Sequence, residues 1–351
     1  MNSKGLLIAN RGEIAVRIIR TAAELGLRTV AIFSADDARS LHTRKADEAH
    51  PLQGKGVTPY LDIEQIIAVT KETGCDAVHP GYGFLAENSG FARRCAEEGI
   101  IFVGPRPEIL DLFGDKAKAR VLAERLGVPV LRGTSGPTTL NDAKKFLTSL
   151  AKDSSMMIKA VAGGGGRGVR VVHGPEEVEE AYTRCRSEAQ KAFGNSDLYV
   201  EEFMTKARHI EVQIIGDASG AVSHLWERDC SLQRRHQKLL EIAPSPGLSP
   251  KLLHRLTEAA VRLAKETRYN NLGTFEFLVE AGTGDEEASW AFIEANARLQ
   301  VEHTVTEEVL GLDLVGIQLQ LAFGRILEEL GLAQAEIPKP CGFAMQVRVN
   351  M

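Results

Sequence analysis

The chain has 351 residues, 44% hydrophobic and 25% charged, the proportions of a globular protein built from two or three packed units. A net charge of −5 supplies no positive field for nucleic acid, and no apolar run approaches the roughly 18–20 residues that span a bilayer, so neither partner is expected. The five cysteines (Cys75, Cys95, Cys185, Cys230, Cys341) are scattered with no C-x-x-C pair, which argues against zinc or a disulfide framework, reads all five as packing residues and fits a reducing cytosol.

The first element, GLLIAN, follows a single lysine and is too short for a secretory signal, so it reads as a strand. RTVAIFS, DAVHP and IIFVG read as further strands. EIAVRIIRTAAELG, DIEQIIAVTKETG and NSGFARRCAEEG read as helices, two of them closed by a C-terminal glycine before the next strand. This alternation over residues 1–114 predicts a doubly wound parallel sheet. NRGE stands where a dinucleotide fold carries G-x-G-x-x-G, so a nicotinamide-dependent dehydrogenase lacks its motif. DKAKARVLAERLG opens a second domain, 115–351, with Asp115 as helix N-cap.

Within it, residues 130–203 read as a small subdomain. It holds a helix in NDAKKFLTSLAK, a glycine run between β-like arms, a charged helix from Pro175 to about Phe193, and the strand LYVEEFM. HIEVQIIGD, AVSHLWERD, TFEFLVE and SWAFIEAN then predict an antiparallel sheet, flanked by helices at about 250–267 and 306–330. No internal repeat is present. GFAMQVRVNM is strand-like and simply stops, which predicts a truncated chain.

Four motifs carry chemistry. In MMIKAVAGGGGRGVRVV, apolar arms flank four glycines, which predicts a hairpin tip rather than a slack linker. Glycine lets backbone N–H groups approach an anion, and Lys159 and Arg167 bracket the run with positive charge. No G-K-[ST] follows, so it is not a Walker A loop, and a purely structural hairpin tip is the competing reading.

In FIEANARLQVEH, alternation puts Glu294, Asn296, Arg298, Gln300 and Glu302 on one face of an extended strand. Fully extended, the two glutamates would stand roughly 26 Å apart, too far for one reaction centre. The expectation is a bend, with one end serving metal and phosphate and the other a carboxyl transfer. The bland reading is a solvated edge strand.

Glu276 lies between Phe275 and Phe277, and a buried carboxylate is costly unless paired or bound to metal. Glu276 and Glu294 form a candidate Mg²⁺ pair; the competing reading is a structural salt bridge. Lastly, DCSLQRRHQKLLEIAPS groups Arg234, Arg235, His236 and Lys238 at the start of a half-buried strand. Lys238 could there meet an anionic substrate, whereas a surface charge run would be unremarkable.

Taken in order, NRGEIAVRI, HPGYGFLAEN, GPRPE, GDK, IKAVAGGGGRGVR, RHIEVQ, RDCSLQRRHQK, GTFEFL and FIEANARLQVEHTVTEE resemble the biotin carboxylases of the ATP-grasp fold over the whole chain. The resemblance implies an α/β and α+β protein: an N-terminal doubly wound parallel sheet, then an ATP-grasp fold with a small lid (130–203) and a larger antiparallel-sheet domain. It also implies a further C-terminal domain beginning near 338 and mostly absent.

The implied activity is ATP-dependent carboxylation of biotin by bicarbonate, with ATP and Mg²⁺ (or Mn²⁺) as cofactors and biotin as a carrier-bound substrate. Lys116 and Lys159 would contact phosphates, with Gly165 and Gly166 over them. Glu201, Glu202 and Met204 lie in the segment whose main chain would hold adenine, and His209, Gln233 and His236 would complete the nucleotide site. Glu276, Glu294 and Asn296 would bind the metal. Lys238, Arg298, Gln300 and Val301 would hold bicarbonate, Glu302 would deprotonate it, and Arg348 would face the biotin ureido group.

Implied partners are a biotin carboxyl carrier, a carboxyltransferase and a second copy of the chain. The final acceptor (acetyl-CoA, a longer acyl-CoA, pyruvate or urea) stays open. Alternatives are a carbamoyl-phosphate synthase-like ligase, which also activates bicarbonate, and a non-catalytic nucleotide-binding module.

Overall fold

A computed structural model describes residues 4–134, 136–151, 154–161, 168–235, 237–281 and 288–349. The chain begins with strand β1 (Gly5–Ile8), helix α1 (Gly12–Glu24), β2 (Arg28–Phe33), the short α2 (Leu41–Lys45) and β3 (Glu48–Pro51). Helix α3 (Ile63–Glu72), β4 (Ala77–His79), α4 (Ser89–Glu97) and β5 (Ile101–Phe102) follow. The five strands pair in parallel in the order β3-β2-β1-β4-β5. Strands β1 and β4 are buried throughout, which is why they read as continuous apolar runs rather than alternating ones.

The direction of winding reverses between β1 and β4. Such a switch point opens a crevice at the carboxyl ends of the strands. Here Asn10 laces the two ends together, donating from Nδ2 to the carbonyls of Pro80 (2.7 Å) and Tyr82 (2.9 Å). The loop after β4 is thereby held against the rest of the molecule.

Helices α5 (Pro107–Gly114) and α6 (Lys116–Arg125) lead out of this unit. Asp115 caps α6 as expected, accepting from the backbone N–H of Ala117 (3.0 Å) and Lys118 (3.2 Å). Next come α7 (Leu140–Ser149), β6 (Ser155–Ala160), β7 (Val169–Val172), α8 (Val178–Phe193) and β8 (Leu198–Phe203). The three strands form an antiparallel sheet in the order β7-β6-β8. Met156, Ile158, Leu198 and Val200 pack with Ala143, Leu147 and Cys185 of the two helices. Strand parity turns Lys159 and Glu201 to the opposite face. The arms β6 and β7 pair antiparallel up to Lys159 and Val169. The glycine run between them, with Gly165, Gly166 and Arg167, lies outside the described residues.

The largest sheet comprises β9 (Ala207–Gly216), β10 (Val222–Arg234), β11 (Gln237–Ala243), β12 (Asn271–Glu280), β13 (Trp290–Asn296) and β14 (Ala344–Val347). Their order is β13-β12-β9-β10-β11-β14, all antiparallel. Helix α9 (Pro250–Glu266) falls between β11 and β12; α10 (His303–Leu310) and α11 (Leu314–Ala322) precede β14. Ile210, Val212, Ile214, Phe275 and Phe277 point from one face of the sheet into a core with Leu252, Leu256 and Leu263 of α9. Each such side chain contributes about 1.5–3 kcal/mol on burial. A second core joins Ile8 and Ile18 of the first unit to Leu272, Leu299 and Leu314 of the last, so the parallel and antiparallel sheets are packed as one body.

The structure departs from expectation in two places. The single helix foreseen over 306–330 is broken: α10 stops at Gly311 (φ 65°), and Asp313 caps α11 by accepting from Gly316 N–H at 2.8 Å. Cys341 is exposed, whereas the other four cysteines are buried as expected.

Two strand glycines are set by Tyr269, whose buried hydroxyl donates to Leu272 O at 3.0 Å. A Cβ on Gly216 would lie 2.0 Å from the Tyr269 carbonyl oxygen, and one on Gly273 would lie 1.9 Å from its hydroxyl. Gly216→Ala and Gly273→Ala are each expected to destabilise the chain by about 1–3 kcal/mol through overpacking. Gly136→Ala, where nothing lies within 4 Å, should leave thermal unfolding unchanged. Equal melting temperatures for all three would contradict this packing.

Candidate active site

The face of the large sheet opposite its apolar core is polar. Along β9, where Ile210, Val212 and Ile214 point inward, His209, Glu211 and Gln213 point the other way. The register sets Glu294 of β13 beside Glu276 of β12, Glu276 beside Glu211 of β9, and Glu211 beside Arg228 of β10. Ile293 is an extra residue in β13, and this bulge returns Phe292 to the core while Glu294 keeps its place in the row.

Three adjacent carboxylates repel one another, and each is met by cations. Lys116, the first residue of α6, reaches Glu294 at 2.8 Å. His209 Nε2 lies 2.5 Å from Glu276 Oε2, and its other ring nitrogen lies 2.8 Å from the side-chain amide of Gln233. Lys238 of β11 donates to Glu211 (2.6 Å), Glu302 (2.8 Å) and Glu276 (3.0 Å). Arg228 closes the row against Glu211.

These partners set the protonation states. Burial would push the Glu276 carboxyl up, but Lys238 and His209 together hold it down at about 2. Lys116 holds Glu294 at about 2 against its burial. Burial favours neutral Lys238 and neutral His209, yet the surrounding carboxylates outweigh it and raise both. The site is therefore a fixed set of charges.

After Asn296 the chain folds back around Glu276. Asn296 Nδ2 and Gln300 Nε2 both donate to Glu276 Oε1, at 2.6 and 3.2 Å. Arg298 spans the two amides, donating to Gln300 Oε1 (2.6 Å) and Asn296 Oδ1 (3.1 Å), and its Nε donates to Glu87 of the first unit at 2.8 Å. Glu302, buried at the N-terminus of α10, accepts from Lys238 and, at 2.9 Å, from Arg348 beyond β14. Arg348 Nε also donates to Glu241 at 2.7 Å. The expected bend is thus present, and it gathers both ends of FIEANARLQVEH around one carboxylate.

Lys116, His209, Gln233, Lys238, Glu276, Glu294, Asn296, Arg298, Gln300, Val301, Glu302 and Arg348 all line one cleft of about 770 Å³, joined by Tyr82, Gly83 and Glu87. Lys159 and Glu201 form an ion pair on the lid sheet. Glu201 also lines a smaller cavity of about 210 Å³ that shares Lys116 with the cleft region. Glu202 donates its N–H to Arg132 O at 2.7 Å, so that main-chain donor is already used. Met204 follows directly after β8. His236, like Gly165 and Gly166, lies outside the described residues.

Sequence reasoning missed Glu211, Arg228, Glu87 and Glu241. For Glu211 the signal was present, since it sits between Ile210 and Val212 just as Glu276 sits between two phenylalanines. For the others the signal is spatial only.

A parallel α/β unit followed by a three-stranded lid and a larger antiparallel sheet, with lysines and paired carboxylates in the cleft, defines an ATP-grasp enzyme. The chain belongs to the biotin carboxylase family. Residues 2–110 match the family described as "Biotin carboxylase, N-terminal domain". Residues 115–330 match "Carbamoyl-phosphate synthase L chain, ATP binding domain".

Among curated relatives, mitochondrial pyruvate carboxylase of Mus musculus is 52% identical over 351 residues, 99% of this chain and 29% of that protein. Pyruvate carboxylase of Bacillus subtilis is 51% identical, over 98% of this chain and 30% of its own length. The chain therefore spans under a third of these relatives. Among solved structures, the Hydrogenobacter thermophilus 2-oxoglutarate carboxylase biotin carboxylase domain dimer, in complex with MgADP, ADP and bicarbonate, superposes with a TM-score of 0.92. It is 43% identical over 98% of this chain and 74% of that one. The Campylobacter jejuni biotin carboxylase–β,γ-ATP complex gives 0.92 and 42%, over 99% and 76%. This homology makes the chain a domain of the biotin carboxylase family and sets aside the dehydrogenase reading. Among the described residues no helix is long and apolar enough to cross a membrane.

The depressed carboxylates predict a pH dependence. A group whose folded pKa lies below its ordinary value near 4.5 contributes stability that is complete above that value and is lost as pH falls. The melting temperature should therefore drop progressively as pH falls from about 5 toward about 2. Lys116→Met removes the principal cause of the Glu294 shift and should flatten its share of that acid limb. Melting curves over this range for both proteins check it; superimposable acid limbs would refute the pairing.

Proposed function

We propose that this chain carries out the first half-reaction of a biotin-dependent carboxylase: bicarbonate, ATP and biotin give carboxybiotin, ADP and phosphate. The observation that carries the reading is the Lys238 ammonium, which bridges Glu276 and Glu302 within 3.0 Å and so joins a metal-and-phosphate end to a proton-transfer end in one cleft.

Lys116 and Lys159 bind the phosphates of ATP, under a lid that includes Gly165 and Gly166, while the segment containing Glu201, Glu202 and Met204 holds adenine. His209, Gln233 and His236 complete the nucleotide pocket. Glu276 and Glu294, adjacent across two strands and both held ionised, offer hard oxygen donors suited to Mg²⁺ or Mn²⁺, with Asn296 beside them. The ion, when bound with nucleotide, offsets charge that accumulates on the transferring phosphoryl group.

Lys238, Arg298, Gln300 and the Val301 segment hold bicarbonate. Glu302 accepts its proton, and the oxygen so charged attacks the γ-phosphorus, displacing ADP and forming carboxyphosphate. Carboxyphosphate divides into CO₂ and phosphate. The released phosphate takes the proton of the biotin nitrogen, Arg348, poised beside Glu302, stabilises the negative charge left on the ureido oxygen, and that nitrogen takes up CO₂. A closed lid excludes water from the labile intermediate.

A carboxybiotin product calls for a biotin carboxyl carrier and a carboxyltransferase as partners, and the relatives' names make pyruvate the first acceptor to try. The Hydrogenobacter domain dimer supports a second copy as a partner. Five free cysteines suit a reducing compartment such as the cytosol.

The test is ADP release from Mg²⁺-ATP and bicarbonate, with and without free biotin. Biotin should stimulate turnover, and Arg298→Ala should lower it by about 100-fold or more, the scale for loss of a preorganised charge at a reacting anion. ATP cleavage that ignores biotin would favour a carbamoyl-phosphate synthase-like ligase. Nucleotide binding with no turnover in any arm would favour a non-catalytic module.

A further inference from the structure

Beyond the residues that touch substrate, Lys238 has a supporting system of its own. An ammonium has three N–H donors, and here all three are committed, to Glu211, Glu276 and Glu302. Each of these carboxylates has one further cation: Arg228 for Glu211, His209 for Glu276 and Arg348 for Glu302. For Lys238 to reach an incoming bicarbonate, at least one carboxylate must be released.

The three are not equivalent. Glu276 and Glu302 line the cleft, where substrate can take over a contact, whereas Glu211 is fully buried and is not among the residues lining it. Glu211 is thus the contact that persists while the ammonium swings. Its orientation comes from Arg228, whose Nε donates to one carboxylate oxygen while the other faces Lys238. Arg228 is itself clamped from three elements. It donates to Gln213 Oε1 of β9 (2.9 Å), Thr306 Oγ1 of α10 (2.9 Å) and Thr274 Oγ1 of β12 (3.1 Å), and it is fully buried.

We propose that Arg228 is a positioning residue for bicarbonate: by holding Glu211 it makes an anchor about which Lys238 turns from Glu302 and Glu276 to the substrate, and it touches no substrate itself. Without Arg228, three carboxylates share Lys238 more tightly and resist its release, and Glu211 is free to rotate. This rests on the assignment of bicarbonate to Lys238 made above.

Breaking one side of a buried ion pair is severely destabilising, whereas removing both charges is often tolerated. The informative variants are therefore the double substitution Arg228→Met with Glu211→Gln, which removes the anchor without stranding a charge, and Arg228→Lys, which keeps the charge and loses the planar fork. Each is titrated calorimetrically with bicarbonate in the presence of Mg²⁺ and a non-hydrolysable ATP analogue, beside its melting temperature.

We expect both variants to fold, the analogue to bind within about twofold of wild type, and bicarbonate to bind at least about tenfold more weakly, the weight of one charge-assisted hydrogen bond. Unchanged bicarbonate affinity, against a wild type that binds it, overturns the role of Arg228 and leaves the proposed function standing. Equal loss of bicarbonate and analogue affinity means that Arg228 is only structural, and overturns it as well. A wild-type chain that binds the analogue and no bicarbonate overturns the bicarbonate assignment first, and the inference with it.

Discussion

The site depends on one arrangement, the row Glu294, Glu276, Glu211 and Arg228 laid across four neighbouring strands. Side chains directly opposite one another in a sheet stand about 5 Å apart, so two adjacent carboxylates repel by about 3 kcal/mol at an effective dielectric near 20. Three in line cannot stay ionised without cations among them. The fold supplies these from different directions: Lys116 from a helix N-terminus, His209 from the same sheet, Lys238 from β11 and Arg228 from β10. The opposite face of the same strands is a phenylalanine- and isoleucine-rich core, which keeps the strands rigid and prevents the repulsion from being relieved by splaying.

The parallel unit matters to this row through few contacts. Its switch-point loop brings Tyr82 and Gly83 to the cleft, and Glu87 takes the Nε of Arg298. Arg298 in turn holds the amides of Asn296 and Gln300, and both amides bond to Glu276. An ion pair between domains therefore ends, two side chains later, on the central carboxylate. The shared apolar core of Ile8, Ile18, Leu299 and Leu314 makes that geometry stiff, because a relative movement of the units would open buried surface.

What was legible in the sequence follows from this construction. Period-two and period-3.6 patterns depend on local burial, so most strands, the Asp115 cap and the odd placement of Glu276 could be read directly. The bend after Asn296 was forced by distance alone, since two glutamates 26 Å apart make no single site. By contrast, the helix break at Gly311 lay within an uninterrupted apolar pattern, and one glycine is a weak signal there. Arg228 looked like any charged residue in ERDC; only strand register puts it beside Glu211, and register between strands distant in sequence is not written in either of them.

The cation partners also bear on how so charged a cleft would accept the proposed ATP and bicarbonate. On the proposed assignment, Lys116 would exchange Glu294 for a phosphate, freeing Glu294 to hold a divalent cation, and Lys238 would exchange Glu302 for bicarbonate as Glu302 receives a proton. Each exchange keeps the ammonium paired with an anion, so neither lysine is left buried without a partner. The desolvation of the lysines and carboxylates is met once, in folding, by partners that substrates later displace. The fully buried Glu211–Arg228 pair lies outside the cleft lining. A site in which every charge could change partner would have no fixed frame, and this buried pair at the end of the row supplies one.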